Sequence, residues 1–192
     1  MEIAFMFALS ALFWTHSWQM LNVYSNPRAL GIIAAAVAVV LLGLVFFGQS
    51  MIMIPEISGP FTAYVVVWIG YAAIVAALSL WGYDDRTLGF YSLFVAVISL
   101  LFAVYFFIGD GLLLEAGTTS ATGLNAQETG PISWIFGLVS VTFTILTALM
   151  FFYLAPPFMR MRTVTGWFYL VLSVLVLVLA GLVILGLPLA SF

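Results

Sequence analysis

The chain has 192 residues, of which 66% are hydrophobic and only 6% charged, with a formal net charge of −3. Globular domains carry about 25% charged residues, so the composition excludes a water-soluble domain and requires lipid around the outward-facing side chains. Cysteine is absent and His16 is the single histidine, which excludes a disulfide frame, thiolate or multi-histidine metal clusters and bis-histidine haem; no basic tract suits nucleic acid.

A helix needs about 20 mostly apolar residues to cross the roughly 30 Å hydrocarbon layer. Six stretches meet that need, at about 3–23, 30–53, 60–82, 89–109, 131–154 and 165–188. The predicted fold is an all-α integral membrane protein, one six-helix bundle over residues 1–192.

The first stretch has Glu2 in place of a basic leader, and no small-residue cleavage site precedes Asn26, so a secretion signal is disfavoured. Its second half reads Trp14-Thr15-His16-Ser17-Trp18-Gln19. There His16 is either a neutral imidazole bonded to a neighbouring helix or a pore-facing donor and pH-sensitive gate. Ser25-Asn26-Pro27-Arg28 breaks the first stretch from the second, and Ser58-Gly59-Pro60 opens the third. Trp68 and Tyr71 lie near mid-span of the third. Three residues apart, they address one face, either as packing or as an aromatic slot for flat, neutral solutes.

Gly82-Tyr83-Asp84-Asp85-Arg86 separates the third stretch from the fourth, and its two acids read as a local ion pair or a helix cap. The connection at about 110–130 is long and polar, a lid over an outer mouth or a slack tether. On the fifth stretch Ser133, Gly137, Ser140, Thr144 and Thr147 share one face. Such a stripe permits close helix packing, or it offers hydroxyls to a small polar solute. Ala155-Pro156-Pro157 closes this helix.

Arg28, Arg86, Arg160 and Arg162 are all the basic residues, and they fall in connections one, three and five. Glu2, Glu56, Asp110, Glu115 and Glu128 fall on the other side. Basic residues stay cytoplasmic during insertion, so both termini are expected outside, in a multi-pass protein of the cytoplasmic (inner) membrane. None of the six stretches holds a charge at mid-depth. Passive conduction of a neutral solute therefore ranks above coupled pumping or an ion channel.

Gly59-Pro60-Phe61-Thr62, then Tyr71-Ala72-Ala73, then Asp85-Arg86 and Tyr91-Ser92-Leu93-Phe94-Val95-Ala96 follow one another across the third and fourth stretches. In order and spacing, and with the Asn26-Pro27-Arg28 turn, they resemble the AmiS/UreI family of urea and short-chain amide channels. The match is good over about 59–100 and loose over 15–45. The resemblance implies a twisted six-helix subunit with its own narrow pore and self-association into a ring, a homohexamer. It also implies that Tyr71 faces the pore and that Trp14 falls near a pore-lining position. Ser17-Trp18 stands where the family has Asn-Gly, and Trp134 is the lone tryptophan of the fifth stretch. The region around Leu172 and Ser173 lacks the family's glutamate. Acid gating through outer-loop histidines is not expected.

The expected function is a facilitative channel for a small neutral solute, with pore-lining candidates Trp14, His16, Trp68, Tyr71, Trp134, Ser140, Thr144 and Thr147. The rivals are a small carboxylate (acetate-type) transporter and a non-conducting accessory subunit of a larger membrane complex. No nucleophile–base pair, metal-ligand set or cofactor site can be assembled, so an enzyme is not expected.

Overall fold

The computed structural model describes residues 2–23, 26–47, 58–115, 126–154 and 161–185, with side chains at 3–23, 26–47, 61–107, 135–154 and 161–185. Six helices run in chain order: α1 (Glu2–Met20), α2 (Pro27–Phe47), α3 (Ser58–Trp81), α4 (Arg86–Glu115), α5 (Ala126–Leu154) and α6 (Met161–Ile184). Five contain segments long and apolar enough to cross a membrane: Pro27–Phe47, Phe61–Trp81, Arg86–Phe107, Ile135–Leu154 and Met161–Ile184. α1 is not among them, a difference from the six spans expected. Its polar run from Thr15 to Gln19 lowers its hydropathy, and packing inside the bundle offsets this.

The helix ends follow local chemistry. α1 stops at Met20 because Asn22 takes a left-handed conformation with φ 58°. The amides of Val23 and Asn22 then bond back to the carbonyls of Trp18 (3.0 Å) and Gln19 (3.2 Å), a Schellman cap. α2 starts earlier than hydropathy suggests. Asn26 caps it, its Oδ1 accepting the Arg28 amide at 3.0 Å, and Pro27 occupies the first turn where no amide is needed. Gly82, at φ 70°, ends α3 in a conformation that suits glycine. The Asp84 carboxylate accepts the Arg86 amide at 3.0 Å and caps α4.

α4 and α5 extend past their apolar runs, to Glu115 and from Ala126. The 110–130 connection therefore narrows to 116–125, which lies outside the described residues, as do Glu56 and Arg160. Leucine, alanine and glutamate are good helix formers and prolong the helices beyond their apolar runs.

Packing is closest in three pairs, α1–α6, α2–α3 and α4–α5; looser contacts α1–α2, α3–α4 and α5–α6 close the ring. Burial alternates with helix number. The spans of α3 and α5 are 44% and 56% buried, against 28%, 33% and 28% for α2, α4 and α6. α1 belongs with the buried set: Phe5, Met6, Leu9, Leu12, Phe13, His16 and Ser17 are all inside. Three inner helices running in one direction are thus each backed by an outer, antiparallel one. The outer helices leave apolar faces exposed, including Val39, Phe46, Phe94, Leu101, Trp167 and Val171.

Side-chain hydrogen bonds join neighbouring helices, α3 to α4 and α1 to α6. Tyr91 on α4 donates from its hydroxyl to the Val67 carbonyl at 3.0 Å, crossing α3 at Gly70, where a Cβ would meet that hydroxyl. Tyr64 donates to Ser99 Oγ at 3.0 Å. Arg162 at the start of α6 donates through Nη2 to the Gln19 carbonyl (3.1 Å) and to Asn22 Oδ1 (2.6 Å), tying α6 to the end of α1.

Candidate functional site

The axis of the bundle is closed by aromatic rings. Phe13 of α1, Trp68 of α3 and Phe143 of α5 form a triangle, with centroid separations of 5.6 Å (Phe13–Trp68), 4.8 Å (Trp68–Phe143) and 5.5 Å (Phe13–Phe143). All three are fully buried. One ring from each inner helix fills the space between backbones that do not touch closely. Toward the arginine-bearing end the next layer holds Tyr71 and Tyr169, whose hydroxyls are 3.3 Å apart. The Tyr169 ring packs edge-on against Phe13 (5.3 Å) and against His16 (5.6 Å).

Below this layer lies a vestibule of about 250 Å³, enclosed by the ends of α1, α3 and α5 and the starts of α4 and α6. His16, Gln19, Asp85, Tyr153 and Arg162 line it, with apolar wall from Val75, Leu78 and Met150. His16 is 5% exposed, and its Nδ1 has no hydrogen-bond partner. Arg162 keeps a buried Nε without a partner. A buried polar atom left unpaired costs about 1–3 kcal/mol, so these atoms mark a place that favours a polar guest. Asp85 titrates above its ordinary 3.8, first because burial disfavours its charge and second because Asp84 adjoins it. Tyr153 lies within electrostatic reach of both Arg162 and Asp85.

Of the residues predicted from sequence, His16, Trp68 and Tyr71 come together on this axis. Ser140 is buried beside Tyr64. Thr144 donates to the Ser140 carbonyl (2.9 Å) and Thr147 to the Phe143 carbonyl (2.7 Å). Their protons are thus bound within α5 and are not offered to a solute, as a hydroxyl in apolar surroundings satisfies itself on the preceding turn. Gly137 on the same face admits the Phe107 ring of α4, the close-packing role of the stripe. Trp14 points away from the axis: it is 42% exposed, meets Trp18 edge-on at 5.7 Å and borders a groove between α1 and α2. The Trp134 side chain lies outside the described residues.

Sequence reasoning missed Phe13, Phe143, Tyr169, Asp85, Tyr153 and Arg162. A signal for three of them was present. Arg162, Thr165, Gly166, Tyr169 and Ser173 share one face of a largely apolar α6, and all but Arg162 are buried. For Asp85, the adjacent Asp84 already serves the cap, which leaves the second carboxylate for another role.

Among the described residues no three histidine, cysteine, aspartate or glutamate side chains stand together as metal ligands. The site defines an all-helical membrane-type bundle with a polar vestibule and an aromatic closure. Comparison with family models, curated proteins and solved structures returns no match.

Proposed function

We propose that the protein is a facilitative channel that passes a small net-neutral solute, of the urea or short-chain amide class, down its gradient across a cytoplasmic (inner) membrane. The observation that carries this reading is axial: a polar vestibule leads to a closed stack of rings held between three inner helices. Aromatic faces desolvate a flat neutral solute at little cost and reject hydrated ions. Movement of the Tyr71–Tyr169 and Phe13–Trp68–Phe143 layers opens the path.

Arg28, Arg86 and Arg162 share the vestibule end of the bundle, which supports a cytoplasmic vestibule and outside termini. α1 then makes the sixth crossing inside the shelter of its neighbours. The exposed apolar faces of the outer helices support contact with lipid and with further copies in a ring. The resemblance of residues 59–100 to AmiS/UreI channels supports a divergent member of that family.

Stopped-flow light scattering on proteoliposomes tests the reading with urea, acetamide and acetate. Amide or urea flux above empty liposomes, altered by Tyr71→Ala, is the expected result. Saturable acetate uptake without amide flux would move the reading to a carboxylate transporter. The complete burial of Phe13, Trp68 and Phe143 favours a second reading, a non-conducting accessory subunit. Flux equal to empty liposomes for every solute, with stable co-purification of a larger complex, would establish it.

A further inference from the structure

Two opposite charges face the vestibule without meeting. Arg162 directs two bonds toward the end of α1, Asp85 sits where α3 turns into α4, and the two form no ion pair with each other. Tyr153 stands within the field of both. We propose that the vestibule binds a small zwitterion, its carboxylate held by Arg162 and its ammonium by Asp85. This rests on reading the vestibule as a solute-accessible mouth, and it adds small dipolar ions to the net-neutral solutes that the mouth holds.

The volume fits such a guest: about 250 Å³ holds roughly eight waters at about 30 Å³ each, enough for a single small amino acid. The guanidinium is already fixed by Gln19 and Asn22, so little side-chain freedom is lost when a carboxylate joins it. An ammonium beside Asp85 offsets the burial and the Asp84 repulsion that disfavour its charge. The unpaired Nδ1 of His16 at the floor offers one more polar contact. A lone anion or a lone cation meets one repulsive wall whichever way it turns. A neutral amide meets none, but its hydrogen bonds are roughly half as strong as charge-assisted ones.

The test is isothermal titration of the full chain in detergent micelles with glycine, acetate, methylammonium and acetamide. Glycine is expected to bind at least about ten-fold more tightly than the other three, and Asp85→Asn to remove at least about ten-fold of that affinity. Asp84→Asn, which alters the capping acid outside the vestibule lining, is expected to change glycine affinity far less than Asp85→Asn, with circular dichroism reporting the fold of both variants. Glycine binding no tighter than acetamide, or equal binding by wild type and Asp85→Asn, would overturn the proposal. The two readings separate cleanly. Glycine binding with no flux of any solute sinks the channel and keeps the site, whereas amide flux without a glycine preference does the reverse.

Discussion

Replacing Phe143 with alanine removes the ring that touches both other members of the axial triangle. Its centroid lies 4.8 Å from Trp68, 5.5 Å from Phe13 and 6.0 Å from Phe5, and none of its surface is accessible. Truncating a fully buried phenylalanine costs about 3–5 kcal/mol, through lost contacts and a cavity that neighbours fill only in part. Phe143→Leu keeps most of the volume and is expected to cost less than about 1.5 kcal/mol. A double-mutant cycle with Phe13→Leu isolates the ring–ring contribution, expected at about 0.5–1.5 kcal/mol. Unfolding in mixed micelles, followed by circular dichroism, reads all five proteins. Under the channel reading the same truncation raises solute flux, because the vacated space adjoins Phe13 and Trp68, the rings that border the tyrosine layer. A stability loss below about 1 kcal/mol for Phe143→Ala would refute the reasoning, since a ring so placed cannot be removed cheaply.

Gly70→Ala drives a methyl into the Tyr91 hydroxyl and is expected to cost about 1–3 kcal/mol in the same unfolding assay. Adding Tyr91→Phe removes the oxygen and recovers part of that loss. Asn22→Ala gives up the bond from Arg162 and places a less tolerant residue at φ 58°, for an expected loss of about 1–2 kcal/mol. Asn22→Gly recovers the backbone share alone. Because burial raises the Asp85 pKa, the folded state holds the proton more tightly than the unfolded state. Stability therefore falls as pH rises from the ordinary carboxylate value of 3.8 through the raised one. Asp85→Asn is expected to lie above wild type in thermal midpoint at neutral pH and to converge with it at low pH, which a pH series of melting curves checks.

Apolar runs were enough to locate all six helices, and Asn26-Pro27, Gly82 and Asp84 announced their ends through ordinary cap chemistry. The rotation of each helix was harder to read. In lipid both the inner and the outer face of a helix are apolar, so hydropathy carries little phase information. Phe13 and Trp14 show the consequence: adjacent aromatics, one at the axis and the other at 42% exposure outside. Trp68 and Tyr71 were legible because two amphipathic rings at mid-span share one face. Thr144 and Thr147 looked like a lining, but whether a threonine proton serves a guest or its own helix depends on a rotamer that sequence does not encode.

α1 is the first of these helices to leave the ribosome and the least suited to lipid on its own. Its partner is the last, and the bonds from Arg162 to Gln19 and Asn22 join residues more than 140 positions apart in one case and 140 in the other. Until α6 arrives, the segment from Thr15 to Gln19 has no settled environment, and the Schellman turn at Asn22 lacks its cross-chain clasp. The clasp between α1 and α6 is thus the last of these interhelix contacts that the growing chain can make. Nascent chains stalled before residue 161 should leave α1 open to extraction and quality control, whereas chains released with α6 should not.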